Sequence, residues 1–236
     1  MKTNTPRRAS TVLAGLSILG AAVACGGAPK PRAHTTPTPA AEDITAKPGA
    51  EILTLARNAL ANASSVHLKG RMTTDDGVLT MNLQIGQGKS AGTMTMPVKR
   101  KRVALQIRSV QGKLYLRSPQ LLRAMGGDLV ARAVGDRWFS KQIKEFEPFT
   151  DLTKFSAFAT ADGEVTKGGT EVVNGHPALL LKEDGDRMFV ATTGKPYPLQ
   201  VSKATGDDHL DFLDYGVPFT VEVPANAVDA DHGVSA

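Results

Sequence analysis

The sequence predicts an α+β fold, a strongly curved antiparallel β-sheet with helices covering its concave face. Three observations carry this. From Val66 onward apolar residues recur with a period of two in about ten to twelve short runs, one amphipathic helix precedes them, and a helix-bearing insertion splits them into two groups. Period-two runs joined by tight turns build an antiparallel sheet, and an open twisted sheet of that many strands curls. Only the helices are available to cover the concave side.

Taken in order, residues 1–24 read as an export signal. Arg7 and Arg8 precede about a dozen small and apolar residues, Ser10 to Ala21, a run that suits a signal h-region and is too short to span a bilayer. Cys25 follows, the only cysteine in the chain. A lone thiol cannot close an intramolecular disulfide, and acylation is a use for it at this position. Ala22-Val23-Ala24-Cys25 is similar to a bacterial lipoprotein signal, with Ala22 where leucine is usual. The alternatives are a plain signal cut near Ala24 or an uncleaved anchor. Lipidation at Cys25, of diacylglycerol and palmitate type, would place the protein on the extracytoplasmic face of the cell membrane, with the membrane as a partner.

Composition narrows the function. The chain carries 28 Lys and Arg against 23 Asp and Glu, a net charge of +5; loss of Lys2, Arg7 and Arg8 with the signal lowers it to +2. That near balance argues against nucleic acid as a partner, because phosphate neutralisation needs a concentrated basic face. Residues 25–47, with Pro29, Pro31, Pro37 and Pro39 among Thr, Ala and Lys, have little to bury and read as a disordered tether. A coil of that length reaches roughly 25 Å. Residues 48–225 suit one domain in size, and residues 226–236 read as a disordered polar tail.

Within the domain, Ile52, Leu55, Ala56, Ala59, Leu60 and Ala63 recur at helical spacing and predict a helix over 50–63. Alternation then predicts strands through Val66–Met72, Leu79–Ile85, Ala91–Met96, Val103–Ile107 and Lys113–Arg117, turned at Asp75-Asp76-Gly77, Gly86–Gly88, Lys99–Arg102 and Gln111-Gly112. Ser118-Pro119 reads as a helix cap with proline in the first turn. Leu121, Leu122 and Met125, then Leu129, Val130, Ala133 and Val134 beyond Gly126-Gly127, supply apolar stripes. Arg137–Ser140 predicts a short returning strand and Pro148–Ala159 a short helix. Further strands are expected at 163–167, 170–173, 178–182, 187–191, 199–203, 209–213 and 219–223, with Asn174-Gly175 a hairpin turn.

A resemblance rests on the order of weak motifs: Ser64-Ser65-Val66-His67 after the first helix, Gly112-Lys113-Leu114-Tyr115, Trp138, Val173-Asn174-Gly175-His176, Thr193-Gly194-Lys195-Pro196-Tyr197-Pro198, and Tyr215-Gly216-Val217-Pro218 before Phe219 and Pro224. In this order they resemble the actinobacterial LppX/LprA/LprF/LprG lipoprotein family, whose architecture is shared with the lipoprotein carriers LolA and LolB. The resemblance implies a LolA/LppX-like half-barrel with an apolar cavity between sheet and helices, and an acylated lipid or glycolipid as ligand.

The cavity wall is expected from Leu55, Leu60, Met81, Leu83, Met94, Met96, Leu105, Leu121, Leu122, Met125, Trp138 and Met188. Six methionines, Met72, Met81, Met94, Met96, Met125 and Met188, fall in strands or the inserted helix. Methionine adapts to irregular apolar guests, and equally it fills cores. Lys99-Arg100-Lys101-Arg102 could meet anionic headgroups or be a solvated turn. His67, His176 and His209 are isolated, and the acidic segments Glu183–Asp186 and Thr205–Asp208 lack a calcium-loop pattern, so no metal or other cofactor is expected. No nucleophile elbow, phosphate loop or recognisable carboxylate pair is present, and no catalytic residue or enzymatic activity is expected. The expected function is a cell-envelope lipoprotein that binds an apolar ligand for lipid carriage or presentation. The alternative is a tethered interaction or sensing protein of the same fold without lipid cargo.

Overall fold

A computed structural model describes residues 43–157 and 163–230. Cys25 and the signal therefore lie outside the described residues, as does the last turn expected before Ala159. The described residues fall in one compact unit, which holds every described helix and strand.

The unit opens with a 3₁₀ turn, Ile44–Ala46, capped by the Asp43 carboxylate, which accepts from Thr45 N at 3.0 Å and from its hydroxyl at 2.6 Å. Those bonds hold the Asp43 carboxyl below its usual range. Ile44 is buried against Ile52, Ala56, Leu179, Leu181 and Val190. Asp43 to Lys47, expected within the tether, are therefore part of the folded unit, anchored by Ile44, the one large aliphatic residue in the tract 25–47. Helix α1 (Gly49–Ala61) buries Ile52, Ala56 and Leu60, spaced four apart on one face.

Strands β1 (Ser65–Thr74), β2 (Gly77–Gly86), β3 (Lys89–Val98), β4 (Lys101–Val110) and β5 (Lys113–Arg117) form the expected meander. After α2 (Pro119–Val134), β6 (Phe139–Ser140) returns beside β5. Beyond α3 (Leu152–Ser156), a second meander follows: β7 (Thr166–Val173), β8 (His176–Glu183), β9 (Asp186–Ala191), β10 (Pro198–Lys203) and β11 (His209–Leu213). The two runs expected at 163–173 are one strand with an irregularity between Lys167 and Thr170. Strand β1 pairs with β11, so the meanders fuse, with β12 (Val228–Asp229) at one edge, into one sheet of twelve strands not closed into a barrel, in the order β12-β6-β5-β4-β3-β2-β1-β11-β10-β9-β8-β7. The fold class is the one expected.

Two expectations near the C-terminus are corrected. Phe219–Val223 forms no strand; it is held by side chains instead of a backbone ladder, with Lys89 Nζ donating to Phe219 O at 2.7 Å and lying 4.7 Å from the Phe219 ring centroid. Pro218 and Pro224 bracket the segment and remove two ladder donors. The expected tail contributes β12 (Val228–Asp229), parallel to β6, with Val228 N donating to Trp138 O at 2.8 Å and Ala230 N to Ser140 O at 2.9 Å.

The route from β6 to β7, on opposite flanks of the sheet, must cross its face. It does so on aromatic residues: ring centroids are 6.4 Å apart for Phe146 and Phe149, 6.1 Å for Phe149 and Phe155, and 6.2 Å for Phe155 and Phe212. This row joins Leu83, Ile85, Leu105, Ile107, Leu121, Leu122 and Phe139 in the main core. Helix α2 is capped by Ser118, whose Oγ accepts from Leu121 N at 3.1 Å and donates to Ala104 O at 2.7 Å. It breaks at Gly127 (φ 79°, ψ −178°), a conformation that glycine tolerates.

Candidate functional site: an apolar cleft beside the first helix

Antiparallel register sorts the strand ends. The end of β1, the β8–β9 turn, the end of β10 and the start of β11 lie at one end of the sheet, because Arg71 opposes His209, Ser202 opposes His209 and Lys203 opposes Asp186. A cleft of about 210 Å³ lies there between α1, α3 and β8–β11. Leu53 and Leu60 come from α1, Phe155 from α3, and Met72, Leu181, Met188, Val201, Leu210 and Phe212 from the sheet. Lys182, Glu183, Asp186 and Arg187 supply its charged residues.

The strand-end contacts pin these walls. Asp208 accepts from Thr73 N at 2.7 Å and from Thr73 Oγ1 at 3.0 Å, tying the β10–β11 turn to the strand that carries Met72. The two Thr73 bonds, with Arg71 and Lys203 nearby, hold the Asp208 carboxyl below its usual range. Lys203 Nζ lies 2.5 Å from Asp186 Oδ1. The result is a fixed apolar space with paired charges at one side, able to exclude water from a hydrocarbon group and to leave a polar end outside.

Of the residues expected to wall a cavity, Leu60 and Met188 line this cleft. Met81, Leu83, Met94, Leu105, Leu121 and Leu122 are buried in the main core, with Met96 packed against it, and Leu55 packs half-buried against the second cluster around Ile52. The aromatic crossing segment occupies the space that those residues would have lined. Two placements are corrections. Met125 is 47% exposed, beside the Gly127 break. Trp138 packs on Arg108, with the guanidinium 4.8 Å from its ring centroid, and Arg108 points away from the buried alternation of Val103, Leu105 and Ile107. Sequence reasoning missed Leu53, Phe155, Leu181, Val201, Leu210 and Phe212; alternation puts Leu210 and Phe212 on one face of β11, but only the strand register brings Val201 opposite Leu210.

Among the described residues, no group of three or more His, Cys, Asp or Glu could hold a metal ion, and no helix is long and apolar enough to cross a membrane. His67 spends both ring nitrogens on structure, with Nδ1 3.2 Å from Asp214 Oδ2 and Nε2 2.7 Å from Asn82 Oδ1.

The fold and cleft define a class, open antiparallel sheets with helices packed over one face and an apolar space between the layers. The fold is similar to that of LprF from Mycobacterium bovis, with a TM-score of 0.51 at 14% identity over 75% of this chain and 97% of that one. The lipoprotein LppX from Mycobacterium tuberculosis is also similar, with a TM-score of 0.45 at 13% identity over 73% of this chain and 98% of that one. No family model and no curated protein matches the sequence. The resemblance carried by the motifs thus holds at the level of the fold.

Proposed function

We propose that this protein is a cell-envelope lipoprotein, anchored through Cys25 on the extracytoplasmic face of the cell membrane, that takes the end of one apolar chain of an acyl lipid or glycolipid into the cleft for carriage or presentation. The reading assigns it no covalent chemistry. The observation that carries it is the cleft: apolar walls from two helices and five strands, with the charged side chains gathered at the β8–β9 turn. An apolar cavity of about 150 Å³ already takes a benzene-sized guest, and drug-sized pockets start near 300 Å³. About 210 Å³ therefore suits a stretch of one chain and not a whole multi-acyl lipid.

The test is binding of a long-chain fluorescent fatty-acid probe to the chain from residue 25 on, carrying Cys25→Ser so that no anchor competes. Met188→Trp places a larger ring in the cleft, and it should weaken probe binding by about tenfold or more, since each 1.4 kcal/mol lost is a factor of ten. Uptake unchanged by Met188→Trp would remove the cleft from the account. No uptake by either protein would favour the tethered interaction or sensing protein, a reading supported by the close filling of the main core.

A further inference from the structure

The β3–β4 turn is the feature that the cleft does not use. Lys99 and Arg100 both adopt left-handed backbone conformations there, with φ 49° and 64°. Three other turns in this protein pair a left-handed residue with a following left-handed glycine: Gln111-Gly112, Asn174-Gly175 and Asp184-Gly185. Glycine is free in that region, whereas a side chain is strained. At Lys99-Arg100 the chain accepts strain at two adjacent residues and keeps two cations at a hairpin tip.

The surroundings give those cations a shape. Lys99, Lys101, Arg102 and Arg123 line a groove of about 380 Å³ between the turn and α2, and no carboxylate lines it. Lys99 Nζ donates to Ala124 O at 2.6 Å, which fixes the turn against the helix. Among the described residues, Lys99, Arg100, Lys101 and Arg102 form no ion pair, and Arg123 alone is paired, to Asp128 at 2.8 Å. Asp75 and Asp76 occupy the neighbouring β1–β2 turn, at the same end of the sheet on the β2 side. Met125, next in sequence to the groove-lining Arg123 and Ala124, is 47% exposed, and Leu129, next to the Asp128 that pairs with Arg123, is 77% exposed. Single exposed apolar residues are ordinary, but two in the segment that supplies Arg123 and its partner Asp128 give the composition of a surface that meets headgroups and the acyl boundary together.

Topology points this surface the same way as the start of the domain. By the strand register, the β3–β4 turn lies at the same end of the sheet as the β8–β9 turn and the start of β7. Lys167 Nζ, one residue into β7, donates to Thr45 O at 2.9 Å, so the opening 3₁₀ turn of the domain lies at this end.

We infer that the groove between the β3–β4 turn and α2 is a docking site for an anionic lipid bilayer, with Lys99, Arg100, Lys101, Arg102 and Arg123 on the headgroups and Met125 and Leu129 entering the interface. The inference rests on the envelope reading for its setting and is independent of cleft occupancy. It makes the tethered domain sit with its cleft end toward the membrane.

The experiment uses the chain from residue 25 on with Cys25→Ser, since one compact unit holds every described helix and strand. Sedimentation with phosphatidylcholine vesicles containing phosphatidylglycerol should retain it, with retention falling as salt rises; pure phosphatidylcholine should not. The double variant Lys99→Asn, Arg100→Gly installs the preferred left-handed pair, so thermal stability should hold or rise. Vesicle affinity should nevertheless fall roughly twentyfold or more, at about a fivefold loss per near-surface cation. Leu129→Ser should weaken binding without changing its salt dependence. Equal binding to both vesicles, unchanged affinity in the double variant, or selective binding of nucleic acid or free phosphate in place of vesicles would overturn the proposal. Met188→Trp should leave vesicle binding intact, which separates failure here from failure of the cleft.

Discussion

Tyr215 shows how one side chain couples distant segments. Its ring stacks on Tyr197 with centroids 3.9 Å apart and planes 9° from parallel, and its hydroxyl donates to Pro198 O at 2.7 Å. Burial pushes the Tyr215 phenol well above its usual range, with Tyr197 adding to the shift. A raised folded-state value means that the neutral phenol is the form the fold favours. Its contribution is fully present below the unfolded value near pH 10, and is lost as pH climbs through the folded value. Tyr215→Phe should cost about 1 kcal/mol at neutral pH, from the missing hydrogen bond, and should flatten the alkaline loss; denaturant titrations on either side of about pH 10 measure both. The motifs Thr193–Pro198 and Tyr215–Pro218 were visible in the sequence as turn signals. That they meet through stacked rings was not, because the two rings sit on segments whose contact depends on the pairing of β10 with β11.

Strands and helices were the most legible level, and the departures have identifiable causes. The first meander follows from alternation alone. Strand β12 was invisible because a two-residue bridge has no period, and its partner β6 lies about ninety residues earlier. Phe219–Val223 alternates well enough to suggest a strand, but its lysine clasp and flanking prolines hold it in another way. Gly92 belongs to this scale too. A Cβ there would come within 2.2 Å of Asn82 O and 2.8 Å of Leu83 Cα on the neighbouring strand, both backbone atoms. Close approach of β2 and β3 therefore requires glycine at this register position. Gly92→Ala should destabilise by about 1–3 kcal/mol as the strands are forced apart, read as a lowered urea midpoint with little change in slope.

For the whole molecule, the decisive quantities are where the domain sits and how much space it encloses. Cys25→Ser in the full-length chain should move the protein from the membrane fraction to the soluble fraction in salt-washed cell fractionation, while the thermal transition of the domain stays unchanged. Persistence at the membrane after the salt wash would contradict the anchor. The expectation of export and lipidation rests on a contiguous stretch around Cys25, which lies outside the described residues. Fold class was legible because period and turn chemistry are local properties of each segment, repeated along the chain. The cleft was not. Periodicity reports which side of each element is apolar, whereas the distance left between two apolar faces depends on everything packed between them. Here the Phe146–Phe149–Phe155 row packs into the main core, and an apolar cleft remains beside α1. The curved sheet and its helices follow from period and turn chemistry along the chain, whereas packing alone places Met188 beside a void and Met81 and Leu83 among neighbours, because a void is the small difference between large packed volumes.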